Sequence, residues 1–327
     1  MKAVSIETPG GPDALKIKNM PRPTPRDEEL LIQVKAAGIN RADILQRQGH
    51  YPPPPGESDI PGLEIAGVVS AMGKNCDDWK AGQRVFGLVG GGGYAQYTVI
   101  HRKMALAIPE ILSFEEAAAI PEAFLTAFQA LRWIGRLTAG ESLLIHAGAS
   151  GVGTAAIQLA HEMGAQVFIT AGSDDKTHRC LELGADSAIN YNKNRFAEII
   201  LEKTNGRGVN LILDFVGSPY WEQNLQSIAS EGRIVILATM GGSFIKDFDL
   251  RTLMKKRLTL SGSTLRNRDL AYKIELSRTF ADDALPHFKA GRIKPVIDRI
   301  FPWDKVAEAH RHMESRQNFG KIILRIT

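Results

Sequence analysis

Short apolar runs broken by glycine and proline turns fill the first third of the chain. Residues 1–7 alternate well enough for a first strand, Gly10-Gly11-Pro12 turns the chain, and residues 21–25 (PRPTP) form an extended connector. Residues 29–37 (ELLIQVKAA) alternate apolar and polar positions, which predicts a strand with one buried face. Residues 38–43 (GINRAD) lead into a short helix through Gln48, and the proline run of residues 51–56 (YPPPPG) is a stiff exposed loop. Residues 61–69 enter another strand, and further β segments follow at residues 84–87 and 94–99, separated by the glycines of residues 90–93. Many short strands between glycine turns predict a compact β domain.

From Ser113 the period changes. Ser113 followed by Glu115 and Glu116 is a capped, acid-rich helix start. Helical stretches are predicted over residues 115–120 and 123–134. Then come an apolar run at Leu143-Leu144-Ile145, a small-residue turn over residues 147–153 (AGASGVG), a helical pattern from Thr154 to Met163 and a second apolar run over residues 166–171. Strand, glycine turn, helix and strand in this compass make a βαβ dinucleotide-binding unit. Buried strands are predicted again at residues 211–215, 233–237 and 258–263, so the unit continues as an α/β sheet. Ligands of such sheets gather at the carboxyl ends of the strands, which places Ser150, Val216, Met240 and Ser263 beside a cofactor.

In the turn, Gly148 is expected to permit the tight bend, and Gly153 to let the helix pack closely on the strand. The helix N-terminus offers N–H groups of Ser150, Gly151, Val152 and Gly153 to a pyrophosphate. The middle glycine of G-x-G-x-x-G is here Ser150, whose hydroxyl can also reach phosphate. The second strand ends in Gly172-Ser173, with Lys176 three residues on, where an NAD site would carry Asp or Glu for the ribose hydroxyl. A hydroxyl and an ammonium suit a 2′-phosphate, so NADPH is expected, with Asp174 and Asp175 serving the start of the next helix.

Composition narrows the class. A chain of 327 residues, 44% of them hydrophobic, suffices for two modest domains. No apolar run approaches membrane-spanning length, and the opening MKAVSIETPG has no signal-peptide core. Two cysteines, Cys76 and Cys180, form no CxxC pair, and a reducing cytoplasm is the expected setting. The net charge of +4 is spread along the chain, with only Lys255-Lys256-Arg257 clustered, so a nucleic-acid surface is not indicated.

Five motifs carry a family resemblance: GINRADILQRQG (38–49), PGLEIAGVV (61–69), AAAIPEAFLTAFQAL (117–131), HAGASGVGTAAIQLA (146–160) and NFGKIIL (318–324). Over essentially the whole chain the sequence resembles the zinc-free quinone oxidoreductases of the medium-chain dehydrogenase/reductase superfamily. Ser150 and the TAGS of residues 170–173 bring it nearest the tumour-suppressor-inducible subgroup. The resemblance implies an α/β protein with a GroES-like β domain (1–122 with 266–327) and a doubly wound Rossmann domain (123–265). Zinc-dependent relatives carry a cysteine where this chain has Asn40 and a histidine where it has Leu63, and two scattered cysteines cannot build a thiolate zinc site. His310 and His312, two apart, face different sides of a helix. No metal is expected.

Without a Lewis acid, alcohol oxidation is poorly served, whereas a quinone is already a good electron acceptor. The expected function is NADPH-dependent reduction of a quinone. Reduction of an enone or enoyl C=C bond is the alternative, and a non-enzymatic NADPH-binding role the third reading. By resemblance, Asn40 and Tyr51 are catalytic residues of the substrate pocket, either one a hydrogen-bond donor to the developing hydroquinone oxygen. Asn40 also belongs to the cofactor site, Thr126 to the nicotinamide end, and Gly172, Ser173, Lys176 and Tyr191 to the 2′-phosphate. Bland readings stand beside these: Asn40 as a helix cap, Tyr51 packed on prolines, Thr126 an ordinary helix residue, Glu64 structural and His146 a satisfied core histidine. The strand at 258–263 is read as an exposed edge through which two copies form a homodimer.

Overall fold

The computed structural model describes residues 1–327. The chain divides into two compact units, Met1–Leu125 with Leu265–Thr327, and Thr126–Thr264.

The first unit begins with a hairpin-like pair, β1 (Lys2–Ile6) and β2 (Leu15–Asn19), followed by β3 (Glu29–Ile39), helix α1 (Arg41–Arg47), β4 (Glu64–Met72), β5 (Arg84–Leu88), β6 (Tyr97–His101) and β7 (Leu106–Ala107). Helices α2 (Phe114–Ala118) and α3 (Pro121–Phe128) follow. Ser113 caps α2 in the predicted way, its Oγ accepting from the Glu116 amide at 3.1 Å while Glu116 reaches back to the Ser113 amide at 2.8 Å. The predicted single helix over 123–134 divides instead. After Phe128 the ladder widens to i−5 bonds, as in Gly135 N–H to Ala130 O at 2.8 Å, and residues 129–134 form a π turn.

The second unit continues with β8 (Ser142–Ile145), α4 (Gly151–Glu162), β9 (Gln166–Ala171), α5 (Asp174–Glu182), β10 (Ser187–Asn190), α6 (Phe196–Lys203), β11 (Val209–Asp214), α7 (Trp221–Ser227), β12 (Ile228–Ile236), α8 (Arg251–Lys256) and β13 (Thr259–Gly262). Its six strands are all parallel in the order β10-β9-β8-β11-β12-β13. That is the 3-2-1-4-5-6 order of the doubly wound dinucleotide fold. Leu144, Phe168, Ile189, Phe196, Ile212, Trp221 and Ile234 fill one core between sheet and helices. Strand β10 was not legible beforehand, because SAIN is a four-residue run with no alternation.

The chain then returns to the first unit with α9 (Leu270–Lys289), β14 (Ile297–Pro302), α10 (Val306–Glu314) and β15 (Lys321–Arg325). Strand β15 inserts beside β3, giving the sheet order β14-β15-β3-β4-β5-β7 with β6 also paired to β3. Strand β3 keeps the expected alternation over residues 32–36, where Ile32, Val34 and Ala36 are buried and Gln33 and Lys35 half-buried, and Leu31 and Ala37 on the second face are buried as well. The predicted strand at 94–99 also shifts to 97–101, pairing with β3, while Ala95 makes only an isolated bridge to Ala3.

Candidate active site

In the second unit the turn between β8 and α4 is built differently from the expectation. The residue with positive φ is Ala147, at +49°, and not Gly148. Gly148 is small for packing: a Cβ there would lie 2.8 Å from the Ile169 Cβ of the neighbouring strand. Gly153 has the packing role foreseen, since a Cβ would fall 2.4 Å from the Ala147 carbonyl oxygen. Ser150 is the N-cap of α4 and its Oγ accepts from the Gly153 amide at 3.0 Å. Gly151 and Val152 therefore carry the first-turn amides left without a protein acceptor, at the positive end of a 12-residue helix. These orphaned donors fit a pyrophosphate.

At the end of β9, Ser173 caps α5, its Oγ accepting from the Lys176 amide at 3.3 Å. Its hydroxyl proton remains available for an outside acceptor. The Tyr191 hydroxyl lies over Gly172, where a Cβ would be 2.6 Å from it, so residue 172 must be small. Asp174, a concern for a phosphate site, is engaged by Lys193 Nζ and by Asn190 Nδ2 at 2.7 Å, and the Lys193 hydrogen bond holds its carboxyl below the usual range. Lys193 was missed in the sequence reading, because it reaches this strand end from the next βα connection.

Val216, Met240 and Ser263 lie in the connections that follow β11, β12 and β13. Their amides are tied back: Val216 N–H to Asp214 Oδ1 at 2.7 Å, Met240 N–H to Phe215 O at 3.1 Å and Ser263 N–H to Ile236 O at 3.0 Å. Asp214 Oδ1 also accepts from Gly217 N–H at 3.0 Å, and its Oδ2 from Asn224 Nδ2 at 3.1 Å. Asn224 Oδ1 is left to accept from His146 Nε2 at 2.7 Å, so His146 carries its proton on Nε2 and takes one from Thr170 Oγ1 on Nδ1 at 3.0 Å. Burial pushes the His146 imidazole below its ordinary pKa, which keeps it in that neutral form. It is a satisfied core histidine that fixes the loop after β11.

In the first unit a buried polar cluster joins four distant elements. Lys321 of β15 donates to Glu64 Oε1 at 2.6 Å, to Asn40 Oδ1 at 2.7 Å and to Ile39 O at 3.1 Å. Asn40 Nδ2 donates to Glu64 Oε1 at 2.8 Å, and the Glu122 amide at the start of α3 donates to Glu64 Oε2 at 2.8 Å. Glu64 thus caps α3 and neutralises Lys321 from a fully buried place. Gly38 on β3 leaves room for it, since a Cβ would meet Glu64 Oε1 at 2.1 Å. Asn40 has one amide proton still free of the cluster. Its backbone amide donates to Asp43 Oδ2 at 2.7 Å, and Asp43 also accepts from Tyr94 OH at 2.9 Å and from Gly62 N–H at 3.1 Å. Burial raises the Asp43 carboxyl to about 6 against these bonds.

A cleft of about 710 Å³ opens in the same unit, lined among others by Leu63, Gly90, Glu122, Leu265 and Arg266. The Arg266 guanidinium braces it, donating to Gly90 O at 2.8 and 3.1 Å, to Tyr51 O at 3.3 Å and to Gln46 Oε1 at 2.9 Å. The Tyr51 ring lies under that guanidinium, 5.3 Å from centroid to Cζ, rather than only against prolines. Desolvation and the nearby Glu122 raise its phenol above the ordinary pKa. Thr126 sits half-buried in α3, with no side-chain hydrogen bond. Asp43, Glu122 and Lys321 stood inside the quoted motifs, but nothing local marked them as one cluster. Arg266 had no sequence signal, because its partners lie 176 to 220 residues away along the chain.

No group of three or more His, Cys, Asp or Glu side chains is gathered as a metal-ion site. His310 packs against Arg47 and Tyr94, and His312 bonds Asp298 at 2.6 Å, on different sides of α10 as foreseen. No helix is long and apolar enough to cross a membrane.

A doubly wound parallel sheet with an open helix N-terminus, in one chain with an antiparallel β unit, defines a medium-chain dehydrogenase/reductase. Residues 26–110 match the alcohol dehydrogenase GroES-like domain and residues 151–280 the zinc-binding dehydrogenase domain. The human quinone oxidoreductase is 32% identical over 327 residues, covering 99% of this chain and 97% of that protein. The Escherichia coli quinone oxidoreductase, solved in complex with NADPH, superposes with a TM-score of 0.89 at 30% identity, covering 99% of this chain and 100% of that one. The CurK enoyl reductase superposes with a TM-score of 0.86 at 28% identity, covering 100% and 99%. The chain belongs to the quinone oxidoreductases of the medium-chain dehydrogenase/reductase superfamily.

Proposed function

We propose that the protein is an NADPH-dependent, zinc-independent quinone oxidoreductase. The observation that carries the reading is the pairing of two features in one member of this family. One is the set of open first-turn amides at α4; the other is the pair of former metal-ligand positions in the first unit, held by Asn40, which is bonded to Lys321, and by Leu63, which lines the cleft. NADPH, when bound, supplies a hydride. Gly151 and Val152 amides, with the Ser150 hydroxyl, would hold its pyrophosphate, and Gly172, Ser173, Lys176 and Tyr191 its 2′-phosphate. Val216, Met240 and Ser263 would line the strand ends, and Thr126 the nicotinamide end. NADPH bound to the E. coli relative supports the same cofactor here.

On the substrate side, the residues present do not fit a metal ion that would serve as Lewis acid. Lys321 takes both Asn40 Oδ1 and Glu64 Oε1, so a metal ion would find neither oxygen free. Asn40 can give its remaining amide proton, and Tyr51 its hydroxyl proton, as hydrogen bonds to a quinone oxygen. Arg266 holds the loops that wall the cleft and keep bulk water from the ring.

The enoyl reductase likeness favours C=C reduction as the second reading. Initial rates with NADPH and NADH, using ortho-naphthoquinone against a short-chain enone, separate the cases. Fast NADPH oxidation with the quinone supports the proposal, and a dominant enone rate moves the assignment to C=C reduction. Turnover with neither, despite cofactor binding, leaves a binding role. A homodimer through β13 is part of the proposal, supported by its open edge, the exposed Leu260 on that strand and the exposed Met254 on α8. A monomeric mass at micromolar concentration would rule it out. A reducing cytoplasmic setting is supported by two buried free thiols.

A further inference from the structure

We infer that Glu122 is the proton donor of the substrate cleft, giving its carboxyl proton to the oxygen left anionic when the substrate is reduced; this rests on the reductase reading above. Three carboxyl groups belong to the buried cluster, and hydrogen bonding separates them. Asp43 has both oxygens engaged, by the amides of Asn40 and Gly62 and by the Tyr94 hydroxyl. Glu64 is held by Lys321, Asn40 and the Glu122 amide, and has no surface exposed. Of these three only Glu122 lines the cleft, and no protein group donates to its carboxyl oxygens. A carboxyl turned to a substrate cleft with its hydrogen-bonding capacity unspent is placed to donate outward.

Its surroundings favour the neutral acid. The side chain is partly open toward the cleft but enclosed by protein elsewhere, and that desolvation, followed by the Glu64 carboxylate on β4, raises it to about 8. Asp43 on α1 pushes the same way, while Lys321 on β15 and Arg266 ahead of α9 oppose it. Tyr51 on the proline loop faces the same group. The start of α3 would stabilise the anion, yet desolvation and the Glu64 charge outweigh it. At neutral pH Glu122 therefore carries the proton it would give. Tyr51, with a phenol above its ordinary range, can donate a hydrogen bond but gives up its proton far less readily, and the Asn40 amide N–H donates a hydrogen bond without being acidic enough to transfer its proton.

The step balances. Hydride delivers two electrons and one hydrogen to the quinone, leaving a hydroquinone monoanion. The O–H bond of Glu122 breaks as an O–H bond forms on that anion, and the Glu122 carboxylate takes a proton back from water entering the cleft.

Two measurements test this. Infrared difference spectra of the cofactor-free protein should show one protonated carboxyl band at neutral pH that titrates away near pH 8 and is missing in Glu122→Gln. The turnover of the wild-type protein should fall as pH rises through that same region, because the acid form is required. Glu122→Gln should lower kcat about 10²-fold at neutral pH, leave KM for NADPH unchanged and lose that limb. Glu122→Asp should regain part of kcat. An unchanged pH limb in Glu122→Gln, or a wild-type protein without the high-pH carboxyl band, overturns the inference even if quinone is reduced. If the wild-type protein reduces neither quinone nor enone, the reductase reading fails instead, and the carboxyl band reports on Glu122 separately.

Discussion

Replacing Lys321 by methionine tests the buried cluster most directly. The change keeps the length of the side chain but removes the ammonium, and with it the bonds to Glu64 Oε1, Asn40 Oδ1 and Ile39 O at 2.6, 2.7 and 3.1 Å. Lys321 and Glu64 are both almost wholly buried, so the carboxylate left behind has no water to replace its partner. Removing one member of such a pair costs about 3–5 kcal/mol. At about 2–4 °C per kcal/mol for a domain of this size, the melting midpoint should fall by roughly 6–20 °C. Glu64→Gln should cost a similar amount, because it strands the ammonium. The double variant, Lys321→Met with Glu64→Gln, removes both charges while the glutamine still accepts from the Glu122 amide. It should be less destabilised than the two single losses added, by about 2–3 kcal/mol of coupling. The assay is thermal unfolding of all four proteins followed by circular dichroism. Strictly additive losses, or a Lys321→Met midpoint within 2 °C of wild type, would refute the picture of a desolvated pair holding Asn40 in place.

Three further outcomes are expected. His310 is buried beside the Arg47 guanidinium, and desolvation with that charge depresses its imidazole to about 3. The unfolded chain takes up a proton below the ordinary histidine pKa that the folded one does not, so stability contributed at neutral pH is lost as pH falls from about 6.5 toward 3. His310→Leu should flatten this acid limb by up to one proton, about 1.4 kcal/mol per pH unit, read from urea unfolding at stepped pH; an unchanged slope would contradict it. Ser173→Asp with Lys176→Glu should raise KM for NADPH about 10–100-fold and leave KM for NADH nearly unchanged, since charge-assisted bonds of about 1.5–3 kcal/mol are lost to the phosphate alone. Equal effects on both cofactors would remove these residues from the 2′-phosphate site. Arg266→Met releases the carbonyls of Gly90 and Tyr51, and should cost about 2–4 kcal/mol of stability while raising KM for the quinone more than KM for NADPH. An unaltered quinone KM would show that the brace does not shape the cleft.

Local pattern alone determined much of this protein. The apolar runs, the small-residue turn at 147–153 and the capped start at Ser113 are short-range signals, and they predicted the βαβ unit, the β-rich first part and the change of character near residue 113. Spacing also separated His310 from His312. Tertiary structure decided what depends on contacts between remote segments. Strand β3 gains β15 as a ladder neighbour from the far end of the chain, a pairing that its own alternation cannot reveal. The positive φ fell to Ala147 and left Gly148 to make room for Ile169, since which residue of a turn bends depends on what packs against it. Asn40 read as a pocket residue or a cap; its orientation is set by Lys321 and Glu64, 281 and 24 residues away. Glu122 was legible only as a member of the 117–131 motif, between two predicted helices. Its raised pKa comes from desolvation and a neighbouring carboxylate, and such electrostatics exist only once the chain has folded.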